Sequence, residues 1–272
     1  MTPVTVPAVT VDQMIEVDRL MVDEYGIELM QMMEHAGTNL ARLAMSRFLG
    51  RSSRGSTVVV LAGRGGNGGG ALVAARHLSN HGCSVRVQLS RPIEAFTGVP
   101  RHQALILQKM GVPLVSGMPD STAPDGTGSD GTVQTPTRND PALTEGDLII
   151  DGIVGYSLSG ALRGVAGELV GWCNEQPAPV LSLDLPSGID GRTGEGHGVA
   201  VQADATMTLA LPKVGLGMPA AAPSVGELYL ADIGVPPELY RAPSLGLAVV
   251  PLFAEEPIIA LRPVANGRFR PA

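Results

Sequence analysis

The chain has 272 residues, a net charge of −7, and only 3% aromatic against 44% hydrophobic residues. That length suits one large domain, and a core left to Ala, Val, Leu, Ile and Met favours an α/β layered fold over a β sandwich. Scattered acids disfavour nucleic acid as a partner, no apolar run approaches a membrane span, and two distant cysteines, Cys83 and Cys173, suit a reduced cytoplasmic protein.

Thr10 and Gln13 have the form of a capping box, which predicts a helix to about Tyr25. A second helix is expected from near Ile27 to Gly50, with Met30, Met33, Gly37, Leu40, Ala44 and Phe48 on one face. The run TVVVLA, Thr57–Ala62, reads as a strand buried on both faces of a parallel sheet. Six glycines within residues 63–70 form a loop, and a helix to about Asn80 follows. Ser84–Leu89 is the second strand, a helix around Arg101–Met110 comes next, and Val112–Val115 is a brief third strand.

Residues 116–146 are dominated by Pro, Gly, Ser, Thr and Asp, the composition of a flexible surface insertion. The α/β pattern resumes with a strand at Asp147–Val154, the loop GYSLSG and a helix to about Asn174. Val180–Leu185, Ala205–Leu211 and Glu227–Ala231 are the remaining predicted strands. The alternation implies a doubly wound, mostly parallel sheet within a domain spanning 1–240. From Arg241 the chain is a Pro-rich tail over 241–272, in which Leu245–Phe253 could add an edge strand or dock onto a neighbour.

Gly63, Gly65 and Gly68 satisfy G-x-G-x-x-G between a strand and a helix. The second strand, however, ends Gln88-Leu89-Ser90-Arg91 with no acid for a ribose, which disfavours a nicotinamide dehydrogenase. No Gly-Lys-Ser/Thr follows, so a P-loop is excluded. What remains is a helix N-terminus suited to phosphate or another oxyanion, or a plain tight turn. In a parallel sheet the carboxyl ends of the strands share one edge. Asn67, Asp151 and Asp184 with Ser187 each follow or end a strand there. Neutral oxygens with few carboxylates suit a weakly held monovalent cation, and a second carboxylate can act as acid or base. Singly, each Asp also reads as a helix cap or turn former.

Five ordered stretches carry a resemblance: VTVDQMIEVD with MMEHAG, VVLAGRGGNGGGALVAARHL, IIDGIVGYSLSGALRG, LSLDLPSGIDGRTGE and ATMTLALPKVGL. From about Val9 to Val235 the chain resembles the YjeF N-terminal domain family, the NAD(P)H-hydrate epimerases. The resemblance implies a Rossmann-like three-layer αβα sandwich, commonly a homodimer, acting on a small molecule. It implies a potassium ion against Asn67, Asp151 and Ser187. Hydrated nicotinamide nucleotide would lie along Gly66, Asn67, Gly68, Gly69 and Gly70, and along Gly155, Tyr156, Ser157, Leu158, Ser159, Gly160 and Ala161. Asp184 is the implied acid/base for interconverting the R and S epimers at C6. Lys213 matches a family lysine and is either a structural ion-pair partner or a pocket residue.

The first loop departs from the family pattern G-x-G-N-N-G-G-D-G: Gly66 stands for its first Asn and Gly70 for its Asp. Each lost charged hydrogen bond is worth about 1.5–3 kcal/mol in a desolvated site, and the cavity becomes larger and less polar. ENAG of the second helix is EHAG here, so His35 is a packed or capping histidine or a substitute polar group near the pocket. Three readings follow. The first is the epimerase; the second is a repurposed enzyme on a more apolar molecule, using Asp184 or His35; the third is a non-catalytic binding or dimerisation module.

Overall fold

Successive residues of a strand face opposite sides of its sheet, and Thr57–Ala62 (β2) shows what each side meets. In the computed structural model, which describes residues 5–50, 53–117, 146–264 and 268–272, Val58, Val60 and Ala62 join one core with Leu40, Leu72 and Leu78. Val59 and Leu61 join another with Leu169, Val170 and Trp172. Leu40 and Leu72 lie on helices Leu29–Ala44 (α2) and Gly66–Asn80 (α3), and Leu169 on Val165–Asn174 (α5). Helices therefore cover both faces of the sheet, the three-layer α/β arrangement expected from the sequence.

The remaining helices are Val11–Asp23 (α1), Gly98–Lys109 (α4) and the short Ala222–Val225 (α6). The other strands are Val6–Pro7 (β1), Ser84–Leu89 (β3), Leu114–Ser116 (β4), Leu148–Gly152 (β5), Val180–Leu183 (β6), Ala205–Leu209 (β7), Glu227–Ala231 (β8), Ile258–Val264 (β9) and Arg268–Pro271 (β10). They form one sheet in the order β1-β10-β9-β8-β7-β6-β5-β2-β3-β4. Strands β2 to β8 pair in parallel, while β9, β10 and β1 pair antiparallel at one end. From β2 the chain steps outward to β3 and β4; from β5 it steps the other way to β6, β7 and β8. The reversal lies between the paired strands β2 and β5, the place where ligands enter a doubly wound sheet.

The capping box forms as read: Thr10 Oγ1 accepts from Gln13 N at 3.1 Å, and Gln13 Oε1 accepts from Thr10 N at 2.9 Å. Of the expected face of α2, Met33, Gly37, Leu40 and Ala44 are buried and Met30 is exposed, while Met32, Ala36, Ala41 and Leu43 are buried as well, so the buried stripe is wider than expected. The helix packs along much of its length against α3. Gly63 and Gly65 lie in the loop before α3, whereas Gly66, Gly68, Gly69 and Gly70 already belong to its first turns, with Gly69 N donating to Gly65 O at 3.0 Å. Strand β6 stops at Leu183, short of the expected Leu185, because Asp184 turns into the left-handed region at φ +68°.

The tail supplies strands at Ile258–Val264 and Arg268–Pro271, not at 245–253. Leu245 and Val249 are instead buried as irregular chain among residues of α1, while Leu261 and Phe269 carry the strand pairing. A two-residue strand, Val6–Pro7, also precedes the first helix, where the sequence suggested none. Most of the expected insertion, 118–145, lies outside the described residues. Cys83 and Cys173 are buried free thiols. Among the described residues no helix is long and apolar enough to cross a membrane.

Candidate functional site

A cavity of about 320 Å³ opens where β2, β5, β6 and β7 end. The first turn of α3 lines it with Gly66, Asn67 and Gly70, and the loop after β5 with Gly155, Tyr156 and Ser157. Leu183 and Asp184 come from the end of β6, and Lys213 from the chain beyond β7. Across from them stand Met14 and Asp18 of α1 and Met32 and Met33 of α2.

Asp184 is held in a conformation that non-glycine residues rarely adopt, at a cost of about 1–3 kcal/mol. Its backbone N donates to Met207 O at 2.7 Å, which ties the strained residue to the neighbouring strand. The Lys213 ammonium donates to Asp184 Oδ1 and, at 3.0 Å, to Leu209 O. Thr208 Oγ1 reaches the same carboxylate oxygen at 3.4 Å, and Tyr156 N donates to the other, Oδ2, at 3.1 Å. A Cβ on Gly155 would sit 2.8 Å from Asp184 Oδ2 and 3.1 Å from Asn67 Oδ1, so only bare backbone fits between them. The sequence left Lys213 as either an ion-pair partner or a pocket residue; it is both.

Tyr156 reaches across the cavity as well. Its hydroxyl donates to Asp18 Oδ2, and its ring centroid lies 5.6 Å from the Lys213 ammonium. Burial pushes the Asp18 carboxyl above the usual carboxylate range, against the Tyr156 hydrogen bond and the Lys213 charge. The Tyr156 hydroxyl is pushed up too, by burial first and then by the adjacent Asp18 charge.

Behind the cavity wall, Asp151 of β5 is wholly buried. Its carboxylate accepts from Ser187 Oγ at 2.6 Å, Ser187 N at 2.8 Å, Ser182 Oγ at 2.8 Å and Ile153 N at 3.2 Å. Burial raises its pKa, and these hydrogen bonds oppose the rise. Among the described residues no cationic side chain pairs with it. Asn67 does not join this knot; its amide donates to Leu183 O at 3.0 Å, leaving Oδ1 beside Gly155. The three residues offer oxygen only, with one carboxylate. That donor set fits a monovalent cation, whose charge would offset a buried carboxylate that has none beside it.

Other residues expected at the site lie elsewhere. A Cβ on Gly68 would be 1.7 Å from Gly63 O, and one on Gly69 would be 2.4 Å from Met33 Sδ, so both face packed neighbours rather than the cavity. Leu158 is buried and Ser159, Gly160 and Ala161 are exposed; none of the four lines the cavity. His35 is exposed, with its ring beside Gly234 and away from the cavity. Gly66 and Gly70 do line it, and the wall around them is apolar: Met14, Leu29, Met32, Met33, Leu183 and Ile233. A Cβ at Gly66 would meet Met33 Cε at an ordinary 3.5 Å, whereas one at Gly70 would press on Leu183 Cδ2 at 2.9 Å.

Sequence reasoning missed Asp18 and Met14. Their four-residue spacing places them on one face of α1, and both fall inside VTVDQMIEVD, so the signal was present.

The sequence matches the family described as YjeF-related protein N-terminus over residues 29–215, well over half of the chain. The chain belongs to that family. An NAD(P)H-hydrate epimerase of Dehalogenimonas lykanthroporepellens is 41% identical over 244 residues, which cover 90% of this chain and 86% of the relative. A second NAD(P)H-hydrate epimerase, from Rhodopirellula baltica, is 30% identical over 86% of this chain and 87% of its own length. The bifunctional NAD(P)H-hydrate repair enzyme Nnr of Moorella thermoacetica is 35% identical over 85% of this chain, which spans 41% of that longer protein. In fold, the crystal structure of yeast ynu0 is similar with a TM-score of 0.71, covering 93% of this chain and 99% of its own at 23% identity.

Proposed function

We propose that this protein is an NAD(P)H-hydrate epimerase, an isomerase interconverting the R and S epimers of hydrated NADH and NADPH. The observation that carries the reading is the seating of Asp184: a strained, buried carboxylate facing a cavity at the sheet's switch point, ion-paired to Lys213. Such a group can exchange a proton with a ligand without bulk water competing for it. The family and its epimerase relatives supply the substrate.

In this reading the hydrated nicotinamide ring enters the cavity with C6 near Asp184. The C6–O bond breaks as the ring nitrogen supplies the electron pair, and the departing hydroxyl takes a proton from the Asp184–Lys213 pair and leaves as water. Water then adds to the opposite face of C6, its oxygen forming the new bond and its proton returning to the pair. Lys213 and the Tyr156 amide hold the two carboxylate oxygens in place throughout. The phosphates lie against the free amides at the N-terminus of α3, where the helix dipole favours negative charge. The apolar wall of Met14, Met32 and Met33 takes up the flat faces of the ligand.

Asn67, Asp151 and Ser187 would hold a potassium ion. When bound, it supplies positive charge beside the buried Asp151 carboxylate and fixes the loops that begin at the ends of β5 and β6. A cytoplasmic homodimer belongs to the same reading.

The replacement of family polar groups by Gly66 and Gly70, inside a wall of methionine, leucine and isoleucine, favours one second reading: an enzyme on this scaffold turned toward a more apolar molecule. Conversion of R-NADHX, coupled to an S-specific dehydratase, separates the two. Turnover that rises with potassium supports the epimerase. Folded protein without turnover, made active by Gly66→Asn with Gly70→Asp, establishes the second reading.

A further inference from the structure

We propose that Asp18 is a positioning residue for the epimerisation: through the Tyr156 hydroxyl it keeps the Tyr156 backbone amide on Asp184. The inference rests on the epimerase reading above and adds to it a residue that takes no part in the proton transfer itself.

Tyr156 is bonded at both ends. Its N–H donates to Asp184 Oδ2 at 3.1 Å, and its hydroxyl donates to Asp18 Oδ2. Asp184 belongs to the end of β6 and Asp18 to α1, so one side chain spans two structural layers. The chain carrying Tyr156, between β5 and α5, has no regular secondary structure to fix it. Of the two hydrogen bonds that Tyr156 makes among the described residues, the one to Asp18 reaches helix α1. Helix α1 is a firm anchor: it is capped at Thr10, and Met14, Val17, Leu20 and Met21 are buried beneath it. The Tyr156 ring also lies near the Lys213 ammonium, so releasing the hydroxyl would disturb both groups that hold Asp184.

Burial raises the Asp18 carboxyl, which agrees with a group kept for a structural partner inside the cavity rather than for solvent. A general base misplaced by a fraction of an ångström loses rate rather than affinity, because the ligand is held mainly by its phosphates and its flat faces. The effect of Asp18 is therefore expected in kcat.

The test is steady-state epimerisation by wild type, Asp18→Ala, Asp18→Asn, Tyr156→Phe and the Asp18→Ala/Tyr156→Phe double variant, with folding checked by circular dichroism. Asp18→Ala and Tyr156→Phe should each lower kcat by about tenfold and leave KM within about twofold, as a positioning loss does. Asp18→Asn keeps an oxygen for the tyrosine hydroxyl and should recover most of the loss. The double variant should be no slower than the slower single one, because the two residues act as a unit. Multiplicative losses, unchanged kcat in folded variants, or Asp18→Asn as slow as Asp18→Ala would each overturn the proposal. If Asp18→Ala does not fold, Asp18→Asn and Tyr156→Phe decide it alone. An inactive wild type removes the epimerase reading and this inference together, whereas an active wild type with unaffected variants removes the inference only.

Discussion

Lys213 and Asp184 form an ion pair in which the lysine side chain is fully buried and the aspartate side chain is 4% exposed. Removing either partner leaves an uncompensated charge in the interior, worth about 3–5 kcal/mol. Lys213→Met should therefore lower the unfolding free energy measured in urea by that amount as well as abolish turnover. A Lys213→Met/Asp184→Leu double variant should be inactive yet recover much of the stability. If the double variant is as unstable as Lys213→Met, the pair is not the source of the cost.

Potassium should stabilise the fold by binding beside Asp151, which has no cationic partner among the described residues. Thermal unfolding in potassium chloride and in N-methylglucamine chloride at equal ionic strength reads this directly, since a ligand of the native state raises the midpoint with its concentration. Asp151→Asn should erase the difference between the salts. Equal midpoints for the wild type in both salts would remove the cation from the proposed site.

Asp18 should make stability depend on pH. Its folded value is raised mainly by burial, so between the ordinary carboxylate value of about 4 and that raised value the folded chain holds a proton that the unfolded chain has released. Folding takes up protons in that window, and the Asp18 contribution to stability falls as pH climbs through it. Asp18→Asn lacks this loss. Chemical unfolding of both proteins at pH 4 and pH 7 should show the variant gaining on the wild type at the higher pH, and a constant difference would contradict the assignment.

The glycines of α3 should separate by what their missing Cβ would meet. Gly66→Ala has room and should stabilise by up to about 1 kcal/mol, the helix-propensity difference. Gly70→Asp must move Leu183 and should cost about 1–3 kcal/mol. Gly68→Ala drives a methyl into the Gly63 carbonyl and should prevent folding. Unfolding midpoints rank the three, and a stable Gly68→Ala would show that the turn before α3 can open.

Much of the parallel sheet was legible because its strands are short and carry apolar residues in a run or in alternation: Thr57–Ala62, Ser84–Leu89 and Glu227–Ala231 fall where the sequence placed them. The Thr10–Gln13 cap was legible for the opposite reason, since it is wholly local. The strand Ile258–Val264 was not, because it is interrupted by Arg262 and Pro263 and exists only by pairing with β8 and β10. At the site, Asp184 stood out through its position after a strand. Asp18 did not, because its partner Tyr156 is 138 residues away and no periodicity reports that α1 crosses the cavity. The glycine run misled in a different way: glycine disfavours helices, yet here the Gly63 carbonyl leaves no space for a side chain at Gly68, and Met33 of α2 leaves none at Gly69.

The edge formed by the two chain ends also has a mechanical meaning. Val6 and Pro7 are zipped to Phe269 and Arg268, and only two residues later Val9 N donates to Pro212 O while Val214 N donates to Val9 O, bracketing Lys213. A force applied to the chain ahead of β1 would act on the β1–β10 pairing and, two residues on, on the backbone hydrogen bonds that flank Lys213. The terminal segment is thus a short tether to the ion pair, and tension on it would be felt first at the cavity.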